Sequence, residues 1–175
     1  MTTRRVNPDE STVVVRTRAE GLMSRLAHDL ELRAGQFEGQ VHLEDDEQNW
    51  SASLRFPIVG LTVVGVLRAG AVDAGVLSAR EHAQITDKVQ NDVLPGPEVL
   101  VRVNGKTRDA GQGVVRAPRG QQRIRFDLKH DEQDGALTGQ IELSLERLGV
   151  APIRGPLGAF RVADEIVVQF RLVLR

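Results

Sequence analysis

The chain has no cysteine and no tyrosine, and only five phenylalanines and one tryptophan among 175 residues. Lack of cysteine excludes disulfides, thiolate metal sites and cysteine nucleophiles together, and fits a reducing compartment. Long apolar runs are missing too. The longest uncharged stretch, Phe56 to Leu67, is interrupted by Pro57, Gly60 and Gly65 and falls short of the roughly 18 residues a membrane span needs. Behind Arg4 and Arg5 there is no apolar segment, whereas a secretory signal carries about 7–15 apolar residues there. Neither sign of charge dominates: 23 Lys plus Arg against 24 Asp plus Glu leave a net charge of −1. That balance argues against a nucleic-acid or acidic-membrane binder driven by bulk electrostatics. The chain therefore reads as soluble and cytoplasmic, without stable membrane insertion and without a nucleic-acid partner.

What is present is period-2 alternation, the mark of strands with one buried and one wet face. Trp50, Ala52, Leu54 and Phe56 alternate with polar Ser51, Ser53 and Arg55. Ile124, Phe126 and Leu128 do the same, as do Leu137, Ile141, Leu143 and Leu145, and Ile166, Val168, Phe170, Leu172 and Leu174. Weaker signals are Leu30/Leu32 and Val41/Leu43, and Val13 to Arg18 and Val99 to Val103 read as strands by composition. Ala34-Gly35-Gln36 predicts a tight hairpin, and Asp134-Gly135 a turn with positive φ. Gly111 to Gly120 reads as a polar loop or irregular hairpin, and Gly149 to Gly158 as a loop at one end of the fold.

One segment is helical. Ser78-Ala79-Arg80-Glu81 is a capping box, Ile85, Val89 and Val93 fall on one face, and Pro95-Gly96-Pro97 stops the segment. This predicts one α-helix over about 78–93. One helix cannot cover about eight half-buried strands, so the sheet is expected to close on itself as a sandwich or barrel. An eight-stranded barrel is filled by side chains or holds one small ligand. With so few rings the inward face is mostly Val, Ile and Leu, which favours a hollow interior over a solid aliphatic core. Residues 1–10 are expected to be frayed, and 11–175 to form a single domain.

These residues resemble the YceI-like family. Gly21 to Leu32, with His28-Asp29, is similar to that family's strand leading into a His-Asp pair, and Phe37-Glu38-Gly39-Gln40-Val41 to its Phe-x-Gly-x-Val. The helix with Ile85, then Val93-Leu94, Pro97 and the strand Val99 to Val103 follow in the family's order. So do Asp134 to Gly139 and Leu157 to Asp164. The usual Thr-x-x-x-x-Arg-Asp ahead of the helix is absent. The resemblance implies an antiparallel lipocalin-like β-barrel that binds a long isoprenoid or other amphiphilic lipid.

No catalytic constellation accompanies it. Neighbours on a strand point to opposite faces, so His28 and Asp29 cannot make the contact of a catalytic triad. His28 shares the phase of Leu30 and Leu32, and His130 that of Phe126 and Leu128, which puts both at barrel rims; His28 reads as a structural, hydrogen-bonded rim histidine or, alternatively, like His130, as a head-group contact. No His-x-His or His-x-x-x-His spacing occurs, so neither metal nor cofactor is expected. The acidic run Glu44 to Glu47 lacks the spacing of a calcium loop and reads as a solvated tip. Arg116, Arg119, Arg123 and Arg125 form a basic stretch in which Arg123 and Arg125 share an outward face. The expected function is non-enzymatic binding, sequestration or transport of an apolar or amphiphilic ligand. Its inward contacts would be His28, Leu30, Leu32, Leu54, Phe56, Phe126, His130, Leu143, Val168 and Phe170. The expected partner is that hydrophobic small molecule, with a homodimer as an option. The alternative is an interaction or stress-response module with a filled barrel.

Overall fold

A computed structural model describes residues 1–21, 27–44, 48–131 and 133–175. Among them the chain is mainly β with one α-helix, and all strand pairs are antiparallel. The strands are β1 (Thr2–Arg5), β2 (Thr12–Arg16), β3 (Ala19–Glu20), β4 (Leu30–Ala34), β5 (Glu38–Leu43), β6 (Trp50–Pro57) and β7 (Leu61–Arg68). They continue with β8 (Ala71–Asp73), β9 (Glu98–Thr107), β10 (Ala110–Ala117), β11 (Gly120–His130), β12 (Leu137–Ser144), β13 (Arg161–Val162) and β14 (Glu165–Leu172). Twelve form one sheet in the order β1-β5-β6-β9-β10-β11-β12-β14-β2-β4-β7-β8, and β3 pairs with β13 apart from it.

The sheet curls into a half-barrel, and the first residues of the chain lace its gap. β1 pairs with β5, Thr2 opposite Leu43. Arg5 exchanges two backbone hydrogen bonds of 2.9 Å with Arg175, Val6 donates to Gly39 and Asn7 to Val173. One short segment thus ties β5 to the continuation of β14. The expectation of a frayed start at 1–10 is corrected: this segment is a pairing strand, and Val6 is buried in the main core.

The sheet has twelve strands rather than about eight. β10 was hidden by composition, because its inward positions are Gly111, Gly113, Val115 and Ala117, small residues that read as loop. β7 was hidden because a bulge at Val64-Gly65 sets Val63 and Val66, opposite Leu32 and Leu30, on one face under the helix, so Val63 to Val66 do not alternate. The hairpin expected at Ala34-Gly35-Gln36 is a crossing instead. β4 pairs with β2 and β7, whereas β5 pairs with β1 and β6. The Asp134-Gly135 turn is as predicted, with Gly135 at φ 69°.

The helix α1 (Ala79–Lys88) continues as one π-turn over Val89–Val93. Its capping box is fully formed: Ser78 Oγ accepts from the Glu81 backbone N–H and the Glu81 carboxylate accepts from the Ser78 N–H at 2.8 Å. The Ser78 backbone N–H, then its hydroxyl, holds the Glu81 carboxyl below its ordinary value. A depressed folded value means the box contributes above the ordinary carboxylate range and is lost as pH falls through the folded value. Ser78→Ala is expected to cost about 1 kcal/mol in thermal unfolding. The Glu81 amide should lose exchange protection in that variant, and the Ser78 amide, whose acceptor is the Glu81 carboxylate, should lose it in the wild type on acidification.

Candidate ligand-binding cavity

Inside the curl lies a cavity of about 450 Å³, lined by the inward positions of the strands and by one face of the helix. Alternation places them there. Leu54 and Phe56 come from β6, Phe126 from β11, Leu143 from β12, Val168 and Phe170 from β14, and Leu30 and Leu32 from β4. His130, at the end of β11, also borders the cavity, and its Nε2 donates to the Arg108 carbonyl oxygen at 2.8 Å. His28 does not border it. The residue precedes β4, is exposed, and lies in a separate cleft with Arg18, Asp29 and Arg68. Phase counting failed there because β4 begins only at Leu30, so the strand's alternation does not reach back to His28.

Rings gather at one end. Trp50, Phe126 and Phe170 form a chain with centroid separations of 6.4 and 6.0 Å, the second pair edge-on, a favourable arrangement of ring quadrupoles. Glycines make the room. A Cβ on Gly111 would stand 2.5 Å from the Phe126 ring and 2.8 Å from the Trp50 ring, and those on Gly105 and Gly139 would strike Trp50 and Phe170. The Trp50 indole N–H is satisfied by the Thr107 carbonyl at 2.8 Å.

At the opposite end the helix lays Ile85, Val89 and Val93 along the cavity. Polar contacts fix it to β7 and the turn before it. Thr86 Oγ1 accepts from the Val63 N–H, and Gln90 donates to the carbonyls of Val59 and Leu61. His82, in the first turn of the helix, reaches the carbonyls of Val63 and Ala74 with its ring, both at 3.3 Å. Asp164 shapes this end from the loop side. Its carboxyl is held below the usual range by the Glu146 N–H and the Ser144 hydroxyl, which steadies the turn carrying Leu145 and Leu148 to the cavity. The Gly149 to Gly158 loop supplies Ile153 to the lining, while Leu157, at φ 55°, is fully exposed.

The lining is almost wholly hydrocarbon. Its charged members are Arg4, Lys88 and Arg108, and no Asp or Glu borders it. Among the described residues no three His, Asp or Glu side chains gather to hold a metal ion, and the acidic run at 45–47 lies outside them. No helix among them is long and apolar enough to cross a membrane. Sequence reading missed one buried ion pair. Glu31 is 5% exposed and its carboxylate accepts from Arg16 Nε at 2.9 Å across the β2–β4 ladder.

No family model matches the chain, and no curated protein matches it. Among solved structures the crystal structure of BcnA from Burkholderia cenocepacia has the same fold: TM-score 0.62 at 13% sequence identity, over 97% of this chain and 99% of that one. The curled antiparallel sheet is thus an architecture this chain shares with BcnA along its whole length.

Proposed function

We propose that the chain is a divergent YceI-like barrel that binds, sequesters or transports an apolar or amphiphilic molecule of isoprenoid or fatty-acyl type, without catalysing a reaction. The observation that carries this reading is the hydrocarbon-lined cavity of about 450 Å³. That volume falls in the range of roughly 300–1,000 Å³ typical of small-molecule sites. An empty apolar space forfeits dispersion contacts that an inserted chain restores, and each buried methylene contributes about 0.8 kcal/mol. Ten methylenes would give roughly 8 kcal/mol, which offsets the lower part of an association cost of roughly 4–15 kcal/mol. The basic residues at the lining, Arg4, Lys88 and Arg108, leave no anion to repel an acidic head group.

The single tryptophan gives a direct test, because Trp50 borders the cavity and no tyrosine competes with its emission. Titration with oleate or farnesol is expected to shift or quench Trp50 fluorescence saturably, with one ligand per chain. Unchanged emission together with no retained ligand in native mass spectrometry would count against the proposal.

A further inference from the structure

The even overall charge conceals a segregated one. Arg102 on β9, Arg116 on β10 and Arg123 and Arg125 on β11 are all exposed and each adjoins at least one residue that lines the cavity, so all four stand on the outer face. The ladders align them: Arg102 is opposite Val114, which is opposite Arg123, while Arg116 faces Gln121 and Arg125 faces Gln112. With strands about 4.8 Å apart and alternate residues about 6.8 Å apart, these charges form a lattice roughly 10 Å across the strands and roughly 14 Å along them. Among the described residues none of the four makes an ion pair. The neighbouring Arg55 is already engaged by Glu98 at 2.7 Å. Asp127 and Glu142, on β11 and β12, are the acids at its border.

We propose that this four-arginine face of β9–β11 docks on anionic phospholipid bilayers. Side chains diverge from a convex sheet, so they cannot converge on one small anion; they suit an extended array of phosphates. Single-stranded nucleic acid is the poorer fit, because such sites combine a basic groove with stacking aromatics, and the residues that flank the four arginines on this face are Gln, Asn, Ser, Val and Leu, with no aromatic ring. Charge here is local rather than global, which is why a net charge of −1 does not oppose it. The docking face is on the outside of the wall whose inside is the cavity, and its argument does not depend on what the cavity holds.

The test is co-sedimentation of the full chain with phosphatidylcholine vesicles, with or without phosphatidylglycerol. Binding is expected only with the anionic lipid, and is expected to vanish near 1 M salt, where the Debye length is about 3 Å. Each arginine near an anionic surface is worth about fivefold in affinity. Arg102→Gln, Arg116→Gln, Arg123→Gln and Arg125→Gln combined should lose two to three orders of magnitude, with Trp50 emission and thermal unfolding unchanged. Equal binding to neutral vesicles, no binding to anionic ones, or full binding by the quadruple variant overturns the proposal. So does tighter binding to a DNA duplex that anionic vesicles fail to displace. Loss of cavity-ligand binding with vesicle binding intact would instead strike the proposed function alone.

Discussion

Replacing Ala52 by phenylalanine is expected to abolish most ligand binding while leaving the fold as stable as before. Ala52 sits mid-strand on β6, opposite Val41 and Val103, and its methyl group points into the cavity between Trp50 and Leu54. A ring there occupies space otherwise left to an acyl chain. Exclusion of about four methylenes costs a ligand roughly 3 kcal/mol, or about two orders of magnitude in affinity. Overpacking penalties arise in dense cores; here the added ring enters a void. Isothermal titration calorimetry with oleate measures the loss, and a thermal melt within a few degrees of wild type separates it from unfolding. Unaltered affinity in a folded Ala52→Phe variant would place the ligand elsewhere.

The second large effect concerns stability. Arg16→Met removes the partner of Glu31, a carboxylate 5% exposed on a strand that turns its next residue, Leu32, toward the cavity. A buried charge left without its partner destabilises by about 3–5 kcal/mol. The Arg16 side chain is 31% exposed, so water reaches the site and the expected cost is nearer 2–3 kcal/mol. The double change Arg16→Met with Glu31→Leu should recover most of it, since an apolar pair of similar size needs no desolvated charge. Urea unfolding of both variants measures this. Equal losses in the single and double variants would show that the ion pair is not what the site requires.

Much of the architecture could be read in advance, and the reasons are local. Strands β6, β11, β12 and β14 alternate cleanly because one face meets the cavity and the other meets water. The helix was readable from its cap and from the stripe of Ile85, Val89 and Val93, all of which border the cavity. What escaped were elements shaped by distant partners. Gly111 and Gly113 sit in a strand because rings and backbone from other strands crowd them, and nothing nearby in the sequence reveals that crowding. β1 looked like a charged tail because its four residues are exposed; what orders it is backbone pairing with β5 and with the last residues of the chain. Glu31 and Arg16 are fifteen positions apart and meet only through the β2–β4 register. The basic face was half visible: Arg123 and Arg125 share a strand, but Arg102 and Arg116 join them only when β9, β10 and β11 pair.

The cavity's capacity to take a chain molecule is tested most directly by a crystal structure grown with palmitate. The account predicts continuous density running from the Trp50–Phe126–Phe170 cluster toward Ile85, Val89 and Val93, in contact with hydrocarbon side chains throughout. An interior collapsed onto its own Val, Leu and Ile side chains, with palmitate absent or bound only outside the sheet, would contradict it.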